Sequence, residues 1–122
     1  MQYLLMIARE DRVFTEASPA DRETITGAFM AYTKALIDSG LMRGGNALQL
    51  STTATTVRVR DGKTQVLDGP YAEAKEQLAG YYLIEAKDLD AALEWAARCP
   101  GASGGTMEVR PIMVFAPAPA TA

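Results

Sequence analysis

The chain contains no histidine. No imidazole is therefore available to activate a serine or cysteine nucleophile, ligate a metal or shuttle a proton near neutrality. Acid–base chemistry would have to come from carboxylates, tyrosines or lysines. Cysteine is almost as scarce: Cys99 stands alone, which excludes an intramolecular disulfide and every multi-cysteine metal site. Its place at the end of a helical pattern reads as a small, half-buried apolar residue. Long apolar runs are missing too. The opening stretch Tyr3 to Ala8 is far too short to span a bilayer and lacks the basic start of a signal peptide. A cytoplasmic, reducing compartment is the expectation, with no membrane partner. Nor is there a basic stripe. The net charge is −3 and the lysines and arginines are scattered singly, so no surface is expected to hold a nucleic-acid backbone.

What is present describes one ordinary domain. A chain of 122 residues, 48% apolar and 22% charged, can bury about two-thirds of its unfolded surface without a staple. Tyr3 to Ala8 reads as a strand with apolar residues on both faces, followed by a connecting loop from Arg9 to Phe14. Ser18, Pro19 and Asp21 announce a helix start. Ile25, Phe29, Tyr32 and Leu36 then recur at helical spacing, and Ser39-Gly40 ends the helix. Ala47 to Ser51 reads as a short strand after a Gly44-Gly45 turn. Thr56 to Arg60 and Lys63 to Leu67 flank Asp61-Gly62, the preferred dipeptide of a type I′ hairpin. That register sets Val57 against Val66 and Val59 against Thr64 on one face, leaving Arg58, Arg60, Lys63 and Gln65 on a wet one.

Asp68-Gly69-Pro70 stops the hairpin, and Glu73 to Leu78 can make a single helical turn. Gly80 to Ala86 is a second strand apolar on both faces, with Tyr81 and Leu83 on one side and Tyr82, Ile84 and Ala86 on the other. Asp88 caps a second helix whose apolar face is Leu89, Ala92, Leu93 and Ala96. Pro100-Gly101 ends it, and Trp95 is expected at a packing edge. Thr106 to Phe115 is the last strand, Pro111 marking a bulge or an edge. Residues 116–122, alternating Ala and Pro, read as a disordered tail on a domain of residues 1–115.

The fold class is thus α+β. Without the inserted hairpin the order is βαββαβ, a ferredoxin-like antiparallel sheet with both helices on one face. Two strands are nevertheless apolar on both faces. A second copy packing sheet against sheet is the economical cover, giving a homodimer.

The densest ionisable cluster is Asp68-Gly69-Pro70-Tyr71-Ala72-Glu73-Ala74-Lys75-Glu76, on a turn between strands. Carboxylates brought together raise one another's pKa, so Asp68 or Glu73 can serve as acid or base. The plainer alternative is turn chemistry, with Asp68 bonding its own following backbone. The spacing of the three carboxylates matches no metal-binding loop, and no motif calls for a cofactor. Arg110, beside Glu108, pairs either with a carboxylate of the cluster or internally. Gly44-Gly45-Asn46 offers backbone amides to an anion or is simply a turn. Tyr81 and Tyr82 belong to the sheet, where one hydroxyl can reach a pocket.

From Met1 to about Met113 the chain resembles the YCII-related family, in its DGPF-type subgroup. The resemblance is carried by LDGPYAEAKEQLAGYYLIEAKDLDAALEWAARCP and the later MEVRPIM. It implies a dimeric α+β barrel. It also marks Asp68, Gly69, Pro70, Tyr71, Glu73, Lys75 and Glu76 as motif positions, with Gly80, Glu108, Arg110 and Pro111 as the later signature. Tyr71 stands where the family usually has Phe, and Ala74 where Thr is common. The His–Asp pair proposed for some relatives cannot be transferred to a chain without histidine. Two functions follow from the resemblance. One is an enzyme on a small organic substrate, with Asp68 or Glu73 as base and Tyr71, Lys75, Glu76 and Arg110 as binding groups. The other is a non-catalytic ligand-binding or regulatory partner, for instance of an extracytoplasmic-function sigma factor.

Overall fold

Alternation of large apolar residues along two strands settles where the core lies. In β1 (Gln2–Arg9), Tyr3, Leu5 and Ile7 are buried. The computed structural model, which describes residues 1–115, then runs through a one-turn helix α1 (Asp11–Thr15) and the long helix α2 (Pro19–Asp38). Ser18 accepts from the Asp21 amide at 3.1 Å, and Gly40 leaves the helix at φ +76°, so both ends form as their residues dictate. Next come β2 (Met42–Ala47), a 3₁₀ turn at Ser51–Thr53, and the hairpin β3 (Thr55–Arg60) and β4 (Lys63–Asp68). The chain continues through β5 (Gln77–Glu85), α3 (Leu89–Arg98), the one-turn helix α4 (Gly101–Gly104) and β6 (Thr106–Pro111). The tail expected at residues 116–122 lies outside the described residues.

The main sheet has the order β2-β5-β1-β6 with antiparallel neighbours throughout, which is the ferredoxin-like arrangement. Tyr32 and Leu36 of α2 and Ala92 and Ala96 of α3 share one buried cluster with Tyr3, Leu5, Tyr82 and Ile84. Both long helices therefore cover the same face. On the other face Leu4, Met6, Tyr81 and Leu83 are only half-buried, and no helix lies there. The hairpin forms its own two-stranded sheet, with Val57 opposite Val66 and Val59 opposite Thr64 as expected. Asp61 and Gly62 both take positive φ, as a type I′ turn requires.

Several boundaries differ from the sequence reading. Gly44-Gly45 is not a turn: it lies within β2, paired to Leu83 and Tyr82, and Ala47 ends that strand rather than starting one. Gly45 is needed there, since a Cβ would sit 3.0 Å from the Tyr81 carbonyl oxygen and the Tyr82 ring. Arg9 to Phe14 is not a plain loop, because Arg9 completes β1 and α1 follows. Residues 73–77 do not form a helical turn; β5 begins at Gln77, which pairs with Arg9. The last strand stops at Pro111 on the sheet edge, where a missing amide costs nothing. Leu89 and Leu93 remain exposed, while Ala92 and Ala96 are the buried residues of α3. Cys99 is fully buried, and burial pushes its thiol pKa up, which suits an inert packing role.

The core carries two tyrosines whose burial has a pH consequence. The Tyr32 hydroxyl donates to the Trp95 carbonyl at 2.7 Å, and its ring meets Tyr82 and Trp95 edge-on. Burial raises the pKa of both Tyr32 and Tyr82. A raised folded-state value means that their stabilising effect is complete below the unfolded tyrosine value near 10 and is lost as pH rises beyond it. Melting temperature should accordingly fall above about pH 10. Tyr82→Phe should make that fall shallower, as differential scanning calorimetry across pH 8–11 would read.

Candidate functional site

The stripe on α2 is longer than its buried part. Tyr32 and Leu36 reach the core, but Ile25 and Phe29 nearer the helix start are only half-buried. Between this half of α2 and the β2–β5–β1 side of the sheet lies a cleft of about 930 Å³. Gly45 and Gly80 contribute to its lining without side chains, while Ile7, Ile25, Phe29, Met30, Ile37 and Leu48 make its walls apolar. A large apolar concavity with few polar groups is the usual form of a small-molecule site.

The polar groups are few and placed. Thr33 Oγ1 donates to the Phe29 carbonyl at 2.9 Å and lies 2.8 Å from the Tyr82 hydroxyl. Either hydroxyl can be the donor of the second bond. The Tyr82 hydroxyl thus has one further hydrogen-bonding position to offer a ligand. Arg9 and Arg22 lie at the Phe14 end of the cleft, their guanidinium carbons 5.3 and 5.1 Å from the ring centroid. Arg22 is fixed by donating to the Phe14 and Thr15 carbonyls at 3.0 and 2.8 Å. No aspartate or glutamate lines the cleft.

The residues singled out from sequence lie elsewhere. Asp68 ends β4 opposite Thr55 and is exposed. Gly69 takes φ +97°; its amide donates to Ala54 at 2.7 Å, and its carbonyl accepts from Thr56 Oγ1 at 2.7 Å. The Asp-Gly-Pro turn is thus clasped to the hairpin's base. Tyr71 is 79% exposed and Glu73 is exposed. Lys75 faces Glu10 at 3.6 Å, and Glu76 accepts from Thr106 at 2.8 Å. Gln77 holds the loop from below, donating to the Ala72 and Ala74 carbonyls at 3.3 and 3.0 Å. Arg110 pairs internally with Glu108 at 2.6 Å rather than with the cluster. None of Asp68, Tyr71, Glu73, Lys75, Glu76 or Arg110 lines the cleft. Among the described residues no three acidic or cysteine side chains gather as a metal site would need. Of the sequence candidates Gly45, Asn46, Tyr81 and Tyr82 do line the cleft, whereas Arg9, Phe14, Arg22 and Thr33 are not singled out by sequence. Their one sequence signal is the half of the α2 stripe that the core leaves unfilled.

The chain belongs to the YCII-related domain family, whose model matches residues 1–116. It is 34% identical over 119 residues to an uncharacterised protein of Rhizobium meliloti (strain 1021), with 96% of each chain covered. Among solved structures it is similar in fold to 5-chloro-2-hydroxyhydroquinone dehydrochlorinase from Burkholderia phenoliruptrix, in complex with 2,5-dihydroxybenzoquinone. The TM-score is 0.54 at 14% identity, covering 93% of this chain and 94% of that one. No helix of the described residues is long and apolar enough to cross a membrane.

Proposed function

We propose that this protein binds a small organic molecule in the cleft between α2 and the sheet. The observation that carries the reading is the cleft itself: an apolar space of about 930 Å³ with a hydrogen-bonded Tyr82–Thr33 pair on its wall. The dehydrochlorinase that shares the fold was solved with a small cyclic compound bound, which supports a ligand of that size. With burial holding Tyr82 in its neutral form, the cleft offers a hydroxyl and cations but no general base. Binding rather than carboxylate catalysis is therefore what the cleft's own residues supply. Acid–base catalysis by Asp68 or Glu73 would have to work from the exposed loop.

The second copy belongs to the same proposal. The open face of the sheet carries Leu4, Met6 and Leu83 without a helix over it, and Val57, Val59 and Val66 of the hairpin are about 60% exposed. An isolated two-stranded ribbon is marginal in water. A homodimer burying the sheet face accounts for the uncovered apolar surface.

A thermal-shift screen against a metabolite library tests the site. The parent is compared with Thr26→Trp, which fills the cleft from an exposed position of α2, and with the double variant Asp68→Asn, Glu73→Gln. A compound at one hundred times its Kd stabilises by about 2.7 kcal/mol. Compounds that raise the parent's melting temperature should lose their effect on Thr26→Trp and keep it on the loop variant. Loss in the loop variant with retention in Thr26→Trp would move the site to residues 68–76. No shift in the parent from any compound would remove the small-molecule reading.

A further inference from the structure

We infer that the ligand of this cleft is an organic carboxylate of ring size, its anionic group at the Phe14 end beside Arg9 and Arg22 and a hydroxyl directed at Tyr82. The inference rests on the cleft being the ligand site and adds the chemistry of its occupant. The protein as a whole is acidic, with 15 aspartates and glutamates against 12 lysines and arginines. The cleft inverts that balance, since its ionisable lining is Arg9, Arg22 and Lys34 with no acid among them beyond the weakly acidic tyrosines. Lys34 is paired with Asp38 at 2.6 Å on the exposed side of the helix. The two arginines have no carboxylate partner among the described residues. The acids that follow Arg9 are engaged otherwise: Glu10 with Arg12 and Lys75, and Asp11 with Ser51 at 2.5 Å.

Both guanidinium groups stand within 5.3 Å of one ring centroid. The two positive charges are consequently within about one Debye length (~10 Å at 0.1 M salt) of each other at the cleft's rim, where Arg9 is half-buried and Arg22 exposed, and their fields add there. An anion at that rim is attracted by both. Arg22 is already oriented by its two backbone acceptors, so little side-chain entropy is lost on binding. Arg9 makes no side-chain hydrogen bond among the described residues and keeps its donors free. A guanidinium matches a carboxylate with paired donors, which favours this anion. The apolar walls then favour a hydrocarbon body, and the Tyr82 hydroxyl, bonded to Thr33, has capacity left for a group that can both donate and accept, such as a hydroxyl.

The test measures 4-hydroxyphenylacetate against its uncharged amide, 4-hydroxyphenylacetamide, by isothermal titration and ligand-observed NMR. Parent, Arg9→Met, Arg22→Met and Thr26→Trp are compared. The parent should bind the acid at least about tenfold more tightly than the amide, as expected of a charge-assisted pair, with the difference shrinking as salt rises. Either arginine variant should lose that preference, the acid's affinity falling to near the amide's. Should Arg22→Met fail to fold, Arg9→Met decides, because its guanidinium makes no hydrogen bond to the described residues and touches only the Phe14 ring. Equal binding of acid and amide, an acid affinity that ignores both arginine variants, or no binding of either compound overturns the inference. Retention of binding by Thr26→Trp would instead overturn the cleft reading beneath it.

Discussion

Replacing Leu36 by alanine should lower the unfolding free energy by about 2–5 kcal/mol, the range for a buried leucine whose site cannot collapse. Leu36 is completely inaccessible, and with Tyr32 it is one of only two buried side chains by which the twenty residues of α2 hold the sheet. Deleting its methyl groups leaves a cavity at that anchor, not at the surface. Ile37, the next residue, is 57% exposed and lines the cleft. Its alanine variant should change stability by no more than about 1 kcal/mol. Denaturant unfolding of the two variants beside the parent reads the contrast. A Leu36→Ala cost below that of Ile37→Ala would mean that α2 is held by something other than this core. Because α2 also forms one wall of the cleft, Leu36→Ala should weaken ligand binding without touching a lining residue.

Changing Leu83 to aspartate should turn a dimer into a monomer. Leu83 sits at the middle of β5 on the face without helices, opposite Leu4 of β1 and Gly44 of β2. In a sheet-to-sheet dimer an aspartate there would be buried without a partner, at a cost of about 3–5 kcal/mol. In a monomer the same side chain would merely face water. Light scattering on the parent at tens of micromolar should give twice the chain mass of 13.1 kDa, and Leu83→Asp should give the single-chain mass with a cooperative melt retained. A parent that scatters as one chain would refute the dimer.

Local chemistry made much of this fold legible. The Ser18 and Asp88 caps, the Asp61-Gly62 turn with its hairpin register, and the split of the Gly80 to Ala86 run into a buried Tyr82–Ile84–Ala86 face and a Tyr81–Leu83 face all lie as the residues dictate. The misreadings have a common cause, tertiary pairing prevailing over local preference. Glycine is a poor strand former, so Gly44-Gly45 reads as a turn, yet the β5 ladder and the close approach to Tyr82 require it in a strand. Glu73 to Leu78 has helix-forming residues, but Gln77 and Leu78 are taken into pairing with Arg9 and Ala8. The cleft was harder to see for a different reason. It is a space left where half of an apolar stripe fails to reach the sheet, and Arg9, Phe14 and Arg22 come from three separate elements that only the topology brings together. A charge cluster contiguous in sequence, such as residues 68–76, is conspicuous by comparison.

The most direct measurement is an amide-resolved NMR titration of the whole chain with the strongest compound from the thermal-shift screen. If the cleft is the ligand site, the largest shifts fall on Phe14, Phe29, Thr33, Gly45 and Tyr82, while Asp68, Tyr71, Glu73 and Lys75 stay in place. Shifts concentrated on residues 68–76, with those of α2 and β2 unmoved, would contradict it.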